Sequence, residues 1–136
     1  MKPTLRIERV KPGDALPPLD IPVTATLVAG GAIASRDYTP VHHDPAAAQA
    51  QGLPNMFMNI LTTKGLVGRY VTDWSGPGSV VLGLALKLGG PCMPGDVLKL
   101  RGRVLSAAPE GVEVEVRGDN SWGNHATARV RVRLPA

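Results

Sequence analysis

The sequence predicts an α+β fold, with one long helix lying against an antiparallel sheet. Three observations carry this. Ile60, Val67, Val71 and Trp74 recur at helical spacing within residues 57–74, with Leu61 and Leu66 beside them. The second half reads as strand: residues 97–105, 112–116 and 128–134 each alternate apolar and charged side chains. Between the strand patterns sit turn signals such as Met93-Pro94-Gly95-Asp96.

Taken in order, residues 3–10 are expected to form a short strand. Gly13 to Pro18 is a turn-rich lead-in, and residues 21–24 read as extended. Thr24 is placed to cap a helix over residues 25–35, although Gly30 and Gly31 weaken it. Residues 36–44 form a loop, because Pro40 lacks an N–H and disfavours a helical Thr39. Pro45 suits the first turn of a short helix over residues 46–51, with Asp44 as its cap and Gly52 as its stop. The long helix follows. Gly65 and Gly68 lie inside it, and a glycine there costs about 1 kcal/mol, so another backbone is expected to approach closely. Residues 79–88 are apolar on both faces, as in a strand covered by a helix on one side and a subunit on the other. Glu113 and Glu115 form an acidic row, and Arg129, Arg131 and Arg133 a basic one, suited to lie side by side across strands. A sheet wrapped around a single long helix describes the hot-dog fold, in the α+β class.

The chain has 136 residues, the size of one domain spanning 1–136. With 43% hydrophobic and 19% charged residues it is expected to fold as a soluble protein. Aromatics are only 4%, which argues against a nucleic-acid platform of stacked rings, and the charged rows read as a solvated sheet face. The net charge of +4 is a mild excess, enough to favour an anionic ligand. Cys92 is the only cysteine, so neither an intrachain disulfide nor a cysteine cluster for zinc can form. The start, Met1-Lys2-Pro3-Thr4-Leu5-Arg6, lacks the apolar stretch of a signal peptide, and no run is long enough to span a membrane. A cytoplasmic location is expected.

The chemistry concentrates in Ser35-Arg36-Asp37-Tyr38-Thr39-Pro40-Val41-His42-His43-Asp44. An extended loop can aim Asp37 and His42 into one cleft, where a carboxylate and an imidazole can move protons to and from a shared water. Each has a plainer role open to it: Asp37 as a turn cap, His42 as a structural histidine. His43 is expected to point the other way. Asn59 either caps the long helix or offers its backbone N–H to an oxyanion. Met56, Phe57 and Met58 read as core or as the wall of an apolar pocket. His125, near a strand start, is given no function. The three histidines do not have the spacing of a metal site, and no metal is expected.

The pattern Asp37-x-Thr39-Pro40-x-His42-x-Asp44, followed by Ala48, Gly52 and a helix opening over residues 56–61, resembles the MaoC-like (R)-specific enoyl-CoA hydratases. The resemblance covers nearly the whole chain. It implies a hot-dog fold and hydration of a 2-enoyl-CoA, with Asp37 and His42 catalytic and Thr39, Met58 and Asn59 contacting substrate. Coenzyme A would enter as part of the substrate, with no separate cofactor, and its phosphates fit the positive charge. Two positions depart from the family. Thr39 stands where the family has Asn, and Met58-Asn59 replaces a His-Gly pair whose glycine N–H helps bind the thioester oxygen.

Asn59-Ile60-Leu61-Thr62, Gly65-Leu66-Val67, Arg69-Tyr70-Val71-Thr72-Asp73-Trp74 and Gly76-Pro77 look more closely like the small subunit of actinobacterial steroid side-chain hydratases, which also has Asn at position 59. That likeness implies a heteromer with a larger subunit carrying a second hot-dog domain and an OB-fold domain with a zinc ribbon, or otherwise a homodimer. A non-catalytic assembly or acyl-CoA-binding subunit is the alternative, but a degenerate copy would be expected to lack Asp37 or His42. A hot-dog thioesterase fits less well, since such enzymes place their carboxylate on the central helix. Here that helix offers only Asp73, near its far end.

Overall fold

The computed structural model describes residues 2–136. The alternating second half folds into four long strands: β2 (Val80–Leu88), β3 (Val97–Ala108), β4 (Gly111–Asn120) and β5 (Gly123–Arg133). With β1 (Leu19–Pro22) they make one antiparallel sheet of order β1-β3-β4-β5-β2. Period-two alternation gives the sheet two unlike faces. On one, Val112, Val114 and Val116 lie opposite Val132, Val130 and Ala128, all buried. On the other, Glu113 lies opposite Arg131 and Glu115 opposite Arg129, while Arg103 reaches Glu115 at 3.4 Å. The expected acidic and basic rows are therefore neighbours.

The buried face wraps α3 (Ile60–Ser75), which turns Thr63, Val67, Tyr70, Val71 and Trp74 inward. This is the expected hot-dog arrangement. The helix begins three residues later than the apolar pattern predicts. Phe57 and Met58 spend their N–H groups on the carbonyls of Val41 and Cys92, outside any helix. Asn59 is then the cap, its side chain accepting the Thr62 N–H. Two shorter helices precede it, α1 (Ala25–Ala34), capped by Thr24, and α2 (Pro45–Ala50), capped by Asp44.

Two expectations are corrected. Residues 3–10 are not a strand but an irregular segment with one 3-10 turn at Ile7–Arg9. Leu5 and Ile7 donate to Ser75 and Pro135, and the free edge of β3 already belongs to β1. Among the described residues no backbone approaches Gly65 or Gly68, since a Cβ at either would meet nothing within 4 Å. The tight approach lies at Gly31, where a Cβ would run into the side chain of Thr62, so α1 crosses α3 there. Within this single chain, β2 meets the core on one side. Leu84 and Leu86 pack on the core, whereas Val80, Val81, Leu82 and Leu88 are exposed on an edge strand. Among the described residues, no helix is long and apolar enough to cross a membrane.

Candidate active site

The end of α1 delivers the carboxylate. Its last turn closes with the Arg36 N–H on the Ile33 carbonyl and the Asp37 N–H on the Ala32 carbonyl. That double closure needs a left-handed residue at Arg36, which has φ 56° and is the only non-glycine with positive φ among the described residues. A left-handed side-chain-bearing residue costs roughly 1–2 kcal/mol. The strain turns the chain sharply, so that Asp37 leaves the helix toward α3. Its carboxylate is then held on both oxygens. Oδ1 accepts the Thr39 N–H at 3.2 Å and hydroxyl at 2.7 Å, and Oδ2 accepts the Asn59 amide at 3.1 Å. The Thr39 hydroxyl, then the Asn59 amide, hold the carboxyl below its ordinary value of 3.8.

The 3-10 turn at Pro40–His42 delivers the imidazole. His42 Nδ1 lies 2.7 Å from the Phe57 carbonyl oxygen. A carbonyl only accepts, so Nδ1 carries a proton, and in the neutral form of the ring the lone pair is at Nε2. The Phe57 ring braces the imidazole edge-on, with centroids 4.9 Å apart. Nε2 faces Asp37 Oδ2 at 3.5 Å. Two acceptors facing each other invite a shared donor, and a water giving one hydrogen to each satisfies both. The side chains retain 12% and 25% exposure, so solvent reaches them. His43 turns away, its Nε2 3.4 Å from the Tyr38 carbonyl oxygen.

The start of α3 completes the constellation. Asn59 is buried, its side chain capping the helix while its amide grips Asp37 and Ser35. The backbone N–H of Asn59 has no acceptor among the described residues, and it sits at the positive end of the helix. It borders a cleft of about 420 Å³ lined by His42, Phe57, Met58, Asn59, Ile60, Leu88 and Gly90, with Leu53, Gly89, Pro91 and His125. The lining is mostly apolar. Asp37 and Thr39 are outside it; Thr39 works on the carboxylate. The five site residues named from the sequence thus meet at one place, four of them linked through Asp37 and Asn59 and Met58 forming wall.

His125 was given no role, yet it belongs to this wall. The register of β5 against β4 slips here, from Gly118 opposite Ala126 to Asp119 opposite Asn124. His125 is the extra residue, and the bulge turns it inward beside Ala126. Pairing geometry decides this, and no residue type in the sequence signals it.

Residues 9–123 match the family described as MaoC like domain. The chain is 40% identical over 122 residues to the 3-oxo-4,17-pregnadiene-20-carboxyl-CoA hydratase beta subunit of Mycobacterium tuberculosis, covering 90% of this chain and 95% of that one. It superposes with TM-score 0.88 and 40% identity on a chain of the ChsH1-ChsH2 complex from Mycobacterium tuberculosis, over 90% of this chain and 97% of that one. The unliganded R-hydratase PhaJ1 from Pseudomonas aeruginosa matches with TM-score 0.88 at 22% identity, over 97% and 86% of the two chains, and shares the fold.

Proposed function

The chain belongs to the MaoC-like domain family, and from that premise we propose that it hydrates the 2,3-double bond of an enoyl-CoA through Asp37 and His42. The observation that carries this is His42 Nε2 set 3.5 Å from a carboxylate whose hydrogen bonds favour its ionised form. Conjugate addition of water needs a base for the attacking water, an acid for C2 and a partner for the enolate oxygen. The bridging water gives a proton to His42 Nε2 as its oxygen attacks C3, with Asp37 Oδ2 holding the second hydrogen. The π electrons move onto the thioester oxygen, which the Asn59 N–H receives at the helix start. His42 then returns the proton to C2, and one water has been added. Asp37 could exchange roles with His42, but its held carboxylate is the weaker base. Proton transfer of this kind contributes about 10²–10⁴-fold, and one oxyanion donor about 10²–10³-fold.

The acyl group we assign is the shortened side chain of a steroid. What supports it is the 40% identity to the mycobacterial beta subunit, together with the apolar wall of Leu53, Phe57, Met58 and Leu88. The working form in this reading is a heteromer with a larger subunit that carries a second hot-dog domain, located in the cytoplasm. Its support is the likeness to a chain of a two-component complex and the bare apolar edge of β2. Hydration needs no metal or redox cofactor, and coenzyme A arrives with the substrate.

The test is loss of enoyl absorbance on purified protein, with and without its co-purifying partner. Wild type is expected to hydrate a steroid side-chain enoyl-CoA, and His42→Ala to lose at least about 10²-fold in rate. Equal rates in wild type and His42→Ala would refute the reading. A homodimer preferring crotonyl-CoA would overturn the steroid assignment and leave the chemistry intact.

A further inference from the structure

We propose that His125 is a positioning residue for the hydration step, acting through Thr63 to fix the start of α3 against the opposite wall of the cleft. The proposal rests on the hydratase reading above. His125 Nδ1 lies 2.8 Å from the Gly90 carbonyl oxygen, and Nε2 lies 2.9 Å from the Thr63 hydroxyl. The Gly90 carbonyl can only accept, so Nδ1 carries the proton. With the ring neutral, Nε2 is an acceptor, and the Thr63 hydroxyl, which also lies 3.3 Å from the Asn59 carbonyl oxygen, turns its one hydrogen to it at 2.9 Å. Both nitrogens are committed, and neither is free to handle a substrate proton. Thr63 and His125 are 0% and 2% exposed, so a lost partner leaves a buried polar group unpaired.

The consequence lies in what the ring joins. Thr63 closes the first turn of α3, its N–H donating to the Asn59 carbonyl at 3.2 Å. Gly90 lies on the far wall, between Leu88 and Pro91. That wall is itself tied to the bulge: the Gly89 N–H donates to the His125 carbonyl at 2.7 Å and the Gly90 N–H to the Asn124 carbonyl at 2.8 Å. The two backbones run so close that a Cβ at Gly89 would collide with the Asn124 carbonyl oxygen. One neutral imidazole therefore spans the cleft floor, from the wall to the turn bearing the Asn59 N–H. A donor misplaced by about 1 Å can cost a factor of about 10², so the width of this span bears on rate more than on binding.

Thr63→Val removes the hydroxyl at nearly constant shape, Thr63→Ser restores it, and His125→Asn keeps a donor toward Gly90 without an acceptor for Thr63. Each is made in the full chain, purified with any partner subunit, beside His42→Ala. We expect Thr63→Val and His125→Asn to lower kcat at least about tenfold with KM within about threefold, and Thr63→Ser to recover most of the rate. A Thr63→Val protein with wild-type kcat, whatever its Tm, overturns the proposal; so does a Thr63→Ser protein as slow as Thr63→Val. If His42→Ala keeps full hydration, the hydratase reading itself fails and this inference with it. Nitrogen chemical shifts of the wild-type imidazole give a readout independent of any variant. The Nδ1–H tautomer is expected at His125, and an Nε2–H tautomer contradicts the span.

Discussion

Two adjacent glycines in α1 should respond unequally to the same substitution. At Gly30 a Cβ meets nothing within 4 Å, so Gly30→Ala gains the full helix preference of alanine, about 1 kcal/mol. At Gly31 the new methyl would lie 2.8 Å from Thr62 Cγ2 and 3.0 Å from its Cβ, and closer still to its hydroxyl. Thr62 cannot simply swing aside, because its hydroxyl and N–H both donate to the Asn59 side chain. Overpacking of this kind costs about 1–3 kcal/mol, so Gly31→Ala is neutral to destabilising by about 2 kcal/mol once the helix gain of about 1 kcal/mol is credited. The neighbours should therefore differ by about 1–3 kcal/mol, a gap in Tm of roughly 3–10 °C for a chain of this size. Urea unfolding with unchanged m-value measures it. Thr62→Ala added to Gly31→Ala should recover most of the loss. If Gly31→Ala is as stabilising as Gly30→Ala, α1 does not cross α3 as described, and the route by which α1 presents Asp37 is wrong.

Arg36→Gly should raise stability by about 1 kcal/mol by relieving the left-handed residue, with kcat within twofold of wild type; thermal melts and initial rates check both halves. Cys92 is fully buried, and that burial pushes its thiol up to about 11, so a thiol reagent at pH 8 should leave the native protein untouched and label one equivalent in urea. Burial lowers the His125 pKa below the ordinary 6.5, the bond to Gly90 opposing it only in part. The unfolded chain then binds a proton there before the native one does. The stabilisation from a neutral His125 is complete above about pH 6.5 and declines as pH falls through that value, and His125→Asn should remove this component from the pH profile of urea unfolding.

Much of the architecture is legible because its physics is local. Proline at position 40 keeps Thr39 out of the helical region and stands first in the 3-10 turn that follows, alternation at residues 112–116 dictates which side faces the core, and Thr24 and Asp44 declare their helices by capping. What escaped is set by distant partners. The α1 stop uses Arg36 where glycine is the usual signal, so the sequence hides a sharp turn that aims Asp37. The purpose of Gly31 depends on Thr62, some thirty positions away, and the emptiness around Gly65 and Gly68 depends on where α1 lies. Residues 3–10 look like a strand, but whether they pair depends on which edges of the sheet are free. His125 faces inward only because β5 gains a residue on β4. The role of Asn59 is double, as helix cap and as the amide that holds the acid, and its type alone shows only the first.

The shared water between Asp37 and His42 is tested most directly by a double-mutant cycle on hydration rate, using Asp37→Asn, His42→Ala and the pair in folded protein. Groups that serve one water as a unit lose little more together than the worse single change, so the double variant should fall within about threefold of it. Losses that multiply, or a single variant that keeps the wild-type rate, contradict the account.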